Sequence, residues 1–324
     1  MGARGNVLVT GATSGIGYFV AEQLARRGDR VVLAARDPRR AEAATTSIRR
    51  QVPGAELEVV LLDLADLASV AAAATRLAAG RPLTALVTNA AVVSYGVRRE
   101  PPRLTADGYE LHLGTAYLGH YALLARLLPR IEEWGTRMVH VGSLSSRVPV
   151  GRDPWSRLAD PGREPSFVSY ARSKVAVTLL HQVLADHLAP GVGSTDLTGS
   201  PRHRAASVLA HPGTAVDVLT PERDGIPVSQ PTDVSRLSRL IVRGMHGKDG
   251  GAAVLVHAAT AAGVRNGEVW GPGGRGQLSG SPARVTIAPP RRSESLSREL
   301  LRVSAAVTGL ALPSGPTRGC RAAA

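Results

Sequence analysis

Val7-Leu8-Val9-Thr10-Gly11-Ala12-Thr13-Ser14-Gly15-Ile16-Gly17 is a short apolar run that stops at a glycine and soon meets two more. Residues 7–10 have strand chemistry and the stretch to about Arg27 has helical chemistry, so the glycines occupy a strand-to-helix turn. Taken alone, a glycine triplet reads as a tight turn. At this junction glycines serve three ends: a turn out of the strand, close approach of backbone to a pyrophosphate, and close packing of helix on sheet.

Outward from that loop the same rhythm repeats. Residues 30–35, 57–62 and 83–88 read as strands, with helices at 38–50 and, alanine-rich, at 66–79. A long helix follows at about 106–133, a strand at 137–141, a helix at about 167–188, a strand at 207–210 and a helix at about 232–246, with 269–270 as a candidate last strand. The strands lack polar alternation, as expected when both faces of a sheet are covered. The fold class is therefore α/β, a Rossmann-type doubly wound parallel sheet in a single domain. Glycine-, proline- and arginine-rich stretches at 146–166, 190–204 and 214–231 are long for connections in a compact domain, which marks them as functional lids or mobile segments. The domain is expected to span 1–275, and 276–324 reads as a basic C-terminal extension, partly disordered, with a short helix at 293–309.

The formal net charge of +13 would ordinarily raise the question of nucleic acid. Lysine, however, occurs only at Lys174 and Lys248; scattered arginine supplies the rest, and aromatic residues are 3% of the chain. That skew looks like codon bias, and neither a clustered patch nor a reading element is present, so no nucleic-acid partner is expected. Cys320 is the single cysteine and excludes an intramolecular disulfide. No leader-like start and no run near the ~20 apolar residues of a spanning helix is found, so a soluble, cytoplasmic protein without a membrane partner is expected. The nine histidines show no close metal-ligand spacing, and no metal is expected. A homo-oligomer is left open.

Tyr170-Ala-Arg-Ser-Lys174 is the sharpest feature. Positions i and i+4 share a helix face, so phenol and ammonium project together. A phenol with a pKa near ~10 is a poor acid–base at neutral pH, and a neighbouring cation favours its phenolate. In a chain that uses arginine almost everywhere, one of only two lysines falls here, and an arginine fork could not readily replace a compact ammonium. Further upstream, the second strand ends at Ala35 and is followed by Arg36, where an NAD enzyme would carry a carboxylate for the ribose hydroxyls. A guanidinium instead suits a 2′-phosphate, which favours NADP(H), although Asp37 stands next to it.

Thr10-Gly11-Ala12-Thr13-Ser14-Gly15-Ile16-Gly17 resembles in full the TGxxxGIG motif of the short-chain dehydrogenase/reductase family, and Tyr170 and Lys174 resemble its YxxxK. The resemblance implies cofactor contacts from Gly11, Thr13, Ser14, Gly15, Ile16 and Gly17, with Arg36 beside the adenosine end. Asp63-Leu64 resembles the adenine-contacting position, although Asp63 could equally cap a helix, and Asn89-Ala90-Ala91 resembles the NAG motif with Ala91 for glycine. Ser143 aligns with the catalytic serine that holds the substrate oxygen, with Ser145 as runner-up; a serine after a strand otherwise reads as a turn or cap. Pro212-Gly213 resembles the element at the nicotinamide amide, and Tyr170 and Lys174 are implied to touch the cofactor too. DLADLASV at 63–70, LGHY at 118–121 and HPG at 211–213 are similar to the retinol-dehydrogenase-like branch.

The resemblance implies NADP(H)-dependent interconversion of a small-molecule carbonyl and alcohol, with Tyr170 as acid–base. Two positions depart from the family: Ala116 stands where an asparagine holds a water for the lysine, and Asp217 where a threonine meets the cofactor amide. These departures keep two alternatives open, a non-redox dehydratase, isomerase or cyclase on the same scaffold, or an NADP(H)-sensing binding protein. Trp155 and Phe167 flank the segment before Tyr170 and are candidates for a substrate pocket or for ordinary packing.

Overall fold

A computed structural model describes residues 4–94, 96–151, 155–159, 162–189, 205–228, 244–286 and 294–313. Strands β1 (Asn6–Thr10), β2 (Arg30–Ala35), β3 (Leu57–Leu61) and β4 (Ala85–Thr88) are joined by α1 (Gly15–Arg26), α2 (Pro38–Gln51) and α3 (Leu67–Ala78). A two-residue strand β5 (Arg99–Glu100) precedes α4 (Leu111–Leu113), which runs through a π-helical turn (Gly114–Leu118) into α5 (Gly119–Trp134). Next come β6 (Arg137–Val141), a 3₁₀ turn (Leu144–Arg147), α6 (Ser156–Ala159), β7 (Glu164–Pro165), α7 (Ser166–His187) and β8 (Ala206–Ala210). The chain closes with α8 (Lys248–Thr260), β9 (Val269–Pro272), β10 (Pro282–Arg284) and α9 (Glu294–Thr308).

The main sheet has the order β10-β9-β8-β6-β4-β1-β2-β3, parallel throughout except for β10 against β9; β5 and β7 form a small antiparallel ribbon. β1 pairs with β2 on one side (Val7 opposite Val31) and β4 on the other (Val7 opposite Ala85). Strand order therefore reverses at β1/β4, the crevice where open α/β sheets hold ligands at the carboxyl ends of their strands. Successive residues feed opposite layers: Leu8 joins the cluster under α3, α5 and α7, whereas Val7 and Val9 join the one under α1 and α8. Helices α2 and α3 start at aspartate caps, Asp37 and Asp66, each accepting two backbone N–H bonds.

Three expectations change. The long helix begins at Leu111, not 106, because Asp107-Gly108 makes a turn with Gly108 at φ +83°, and it is interrupted by the π turn at 114–118. Most of the helix expected at 232–246 lies outside the described residues, and its last residue, His246, instead bridges to Ala215. Helix α8 was not expected, since Gly250-Gly251 reads as a breaker. It is held by α1 along its length and by Arg137, whose guanidinium donates to the carbonyls of Ala258, Ala259, Ala261 and Val264 at and beyond its C-terminus.

Candidate active site

The residues expected from the sequence to bind the cofactor or to act in catalysis lie at the carboxyl edge of the sheet or on α7. Gly11 to Gly17 follow β1, Arg36 follows β2, Asp63-Leu64 follow β3, Asn89-Ala90-Ala91 follow β4, Ser143 follows β6 and Pro212-Gly213 follow β8. At Gly17 a Cβ would lie 2.3 Å from Gly11 O and 2.4 Å from Asn89 Nδ2, so no larger residue fits; Gly15, at φ +57°, faces open space. This is a cradle for a group that must approach backbone closely, at the start of a helix whose cap, Ser14, makes no side-chain cap bond. A dinucleotide pyrophosphate fits it.

Asn89 Nδ2 donates to Thr10 O at 2.9 Å and ties the end of β4 to the glycine loop. Ala91 takes the place of a glycine without strain, since Gln277 is the one non-glycine residue at positive φ among those described. Arg36 is exposed at the end of β2, while the neighbouring Asp37 spends its carboxylate on Arg39 N and Arg40 N. Asp63 closes a local turn through Ala65 N at 2.9 Å; the cap of α3 is Asp66 rather than Asp63, and Leu64 is buried.

Lys174 is buried on α7, donates from Nζ to Val141 O at 2.9 Å and sits 5.8 Å from the Tyr170 ring centroid. Burial lowers its pKa to about 8. Ser143 is two residues beyond Val141, so its Cα is within ~8 Å of the strand end that holds the lysine. Its Oγ accepts from Ser145 N at 3.1 Å and Ser145 Oγ at 3.0 Å, placing both serine hydroxyls at one spot in a turn packed against α7.

The two departures acquire physical roles. Ala116 lies in the π turn, and its carbonyl accepts from His120 Nδ1 at 2.9 Å. That proton on Nδ1 leaves Nε2 to accept from Thr10 Oγ1 (2.9 Å), which in turn accepts from Ala90 N (3.0 Å). Burial, with the Lys174 charge adding to it, lowers the His120 pKa to about 4, so the ring stays neutral. A buried chain thus links the helix break, the glycine loop and the end of β4. Asp217 is buried against Lys248, with Nζ 2.5 Å from Oδ1, and clips the turn after β8 to the start of α8. The chain's two lysines are both buried, and the scarcity that marked Lys174 marks Lys248 equally. Trp155 packs fully in the interior, and Phe167 is half-buried with its N–H on Gly96 O. Sequence reading missed the roles of His120 and Lys248, and of the two readings open for Trp155 the structure shows packing. Among the described residues no cluster of metal-ligating side chains is present, and no helix is long and apolar enough to cross a membrane.

A sheet of this order, with its close-packed glycine loop at the switch point and a buried Tyr–Lys face alongside, is the frame of a dinucleotide-linked α/β enzyme. The family model for short chain dehydrogenases matches residues 5–193, over half the chain, and the chain belongs to that family. It is 35% identical to retinol dehydrogenase 12 of Mus musculus over 216 residues, 66% of this chain and 62% of that protein. It is 41% identical to polyprenol dehydrogenase of Mus musculus over 178 residues, 53% of this chain and 51% of that protein. The chain thus matches about half to two thirds of the length of these curated relatives. A solved structure of an uncharacterized protein from Mycobacterium paratuberculosis aligns over 96% of both chains at 29% identity and TM-score 0.67. A protein from Beutenbergia cavernae assigned as an NAD(P) dependent gluconate 5-dehydrogenase, with NADP bound at low occupancy, covers 82% of this chain and 94% of its own at 25% identity and TM-score 0.58.

Proposed function

We propose that this protein is an NADP(H)-dependent oxidoreductase that interconverts a carbonyl and an alcohol, with Tyr170 as general acid–base. The observation that carries the reading is Lys174, buried, anchored to Val141 O and set beside the Tyr170 ring. When bound, a nicotinamide supplies or accepts the hydride. Tyr170 gives its phenolic proton to the substrate oxygen in reduction and takes it back in oxidation. The Lys174 ammonium stabilises the phenolate left behind, and Ser143, with Ser145 as its hydrogen-bonded neighbour, donates to the substrate oxygen as charge develops there.

The glycine loop, Asn89 to Ala91 and Pro212-Gly213 line the dinucleotide cleft in this reading, with Asp63-Leu64 and Arg36 at its adenosine end. NADP(H) over NAD(H) is supported by the free reach of Arg36 and the commitment of Asp37 to its helix cap. The relatives named for retinol and polyprenol make apolar isoprenoid alcohols and their aldehydes the first substrates to test. The test is consumption of NADPH at ~340 nm with a panel of aldehydes and ketones headed by all-trans-retinal, run in parallel with NADH. Turnover with NADPH at least about tenfold better than with NADH is the expected result. Tight NADPH binding without turnover of any carbonyl would overturn the reaction and leave a binding protein.

A further inference from the structure

The family match ends at residue 193, yet α9 and the residues after it are built into the same apolar cluster as the helices beneath the active site. Leu300 and Ser304 are essentially without exposure and Leu312 is buried. Three of the chain's six tyrosines and one of its three tryptophans aim their polar ends at this segment. Tyr117 Oη donates to Ser304 Oγ at 2.7 Å, since that hydroxyl gives its own proton to Leu300 O. Tyr121 Oη donates to Leu310 O at 2.8 Å, Tyr109 Oη to Val307 O at 3.2 Å and Trp155 Nε1 to Leu296 O at 3.2 Å. The outer face of α9 carries ion pairs, Arg298 with Glu294 and Arg302 with Glu299, so the helix presents polar groups to water and apolar ones to the body.

What α9 holds matters more than that it is held. Trp155 and Leu158 stand in the segment that joins Ser143 to Tyr170, and both side chains lie in the cluster with Leu300 and Leu312. In the chain that segment lies between the two residues proposed to meet the substrate oxygen. Its anchor is therefore the C-terminal helix, whereas the glycine loop is anchored by β4. A 15-residue helix is marginal in water by itself, so α9 depends for its stability on docking against this cluster.

We infer that α9 is a positioning element of the active site: by seating Trp155 it fixes residues 155–159, which lie between Ser143 and Tyr170 in the chain, and so sets affinity for the carbonyl substrate without changing affinity for the dinucleotide. The inference rests on the proposed reaction for its substrate half and on contacts alone for its structural half. The experiment uses the full chain with two single variants, Leu300→Asp, which opposes docking of α9, and Trp155→Phe, which keeps a ring and removes the indole donor. Hydrogen–deuterium exchange by mass spectrometry, NADPH titration by fluorescence and steady-state kinetics with all-trans-retinal are the readouts.

In Leu300→Asp, exchange rises at 155–159 as well as at 294–308, KM rises by about ten- to a hundredfold, and NADPH affinity stays within about twofold. In Trp155→Phe the coupling runs the other way, with faster exchange at 294–308. Unchanged exchange at 155–159 when α9 is released, or a parallel loss of NADPH affinity, overturns the inference. Should retinal and the other carbonyls prove inert with the unmodified chain, the proposed reaction fails, while the two reciprocal exchange results still decide whether α9 and the loop are coupled.

Discussion

The two halves of the sheet are held together by different chemistry. On the β1–β4 side the fit is made mostly by backbone and apolar side chains: glycines where no Cβ can stand, aspartate caps on α2 and α3, and strands of Val, Leu and Ala, with Asn89 and the His120–Thr10 pair as buried polar ties. On the β6–β10 side, buried polar groups carry the connections. Arg137 reaches four carbonyls around the end of α8; Lys174 holds the end of β6; Asp217 and Lys248 clip the turn after β8. His181 Nδ1 meets Ser207 Oγ at 3.0 Å, His140 lies 6.0 Å from it ring to ring, and His211 meets Gln277 Oε1 at 3.0 Å. The first kind of fit is local and steric. The second works only when partners far apart in the chain have already met.

Acid should separate the halves most strongly. Burial lowers the pKa of His120 and His211 to about 4, that of His181 to about 3, and that of His140 well below 6.5. Because the folded values lie below the unfolded one, the stability these rings contribute is complete above pH about 6.5 and is lost as pH falls towards the folded values, at ~1.4 kcal/mol per pH unit for each ring. Unfolding is therefore expected to take up about two protons at pH 6.5, rising towards about four by pH 5, and because His140, His181 and His211 sit on or against β6 and β8, exchange protection should be lost there before the β1–β2 side. Equal loss on both sides would erase the contrast.

Gly17→Ala attacks the other half. The added methyl must displace Gly11 O and Asn89 Nδ2, so NADPH binding should fall by at least about a hundredfold in fluorescence titration. Gly15→Ala meets no atom within 4 Å and is expected to cost only the ~1–2 kcal/mol of a left-handed alanine. Lys248→Met leaves the Asp217 carboxylate buried and unpaired, a loss of ~3–5 kcal/mol in urea unfolding, most of which Asp217→Leu added to it should restore. Arg36→Asp should weaken NADPH by about ten- to a hundredfold and bring NADH level with it or ahead.

The same contrast explains what could be read from the sequence. Residues 7–17, 30–35 and 89–91 announce themselves because strand propensity and glycine or asparagine at a strand end are written in the residue types of the segment itself. Helix α8 did not, because Gly250-Gly251 argues against a helix and the support comes from Arg137, over a hundred residues away. For Trp155 the sequence left pocket and packing open, and its partner Leu296 could not be read, since it lies beyond every motif. The π turn at 114–118 was equally hidden inside an unbroken apolar period. The Tyr170–Lys174 face stood out on the second side only because four residues on a helix make a local distance of a chemical one.

Tyr170→Phe in the full chain, measured for NADPH affinity and for NADPH-dependent reduction side by side, tests the central claim most directly. The expected result is unchanged NADPH affinity, within about twofold, with turnover reduced by between about a hundred- and ten-thousandfold, the contribution of a positioned acid–base. Turnover that survives the loss of the phenol would contradict the account.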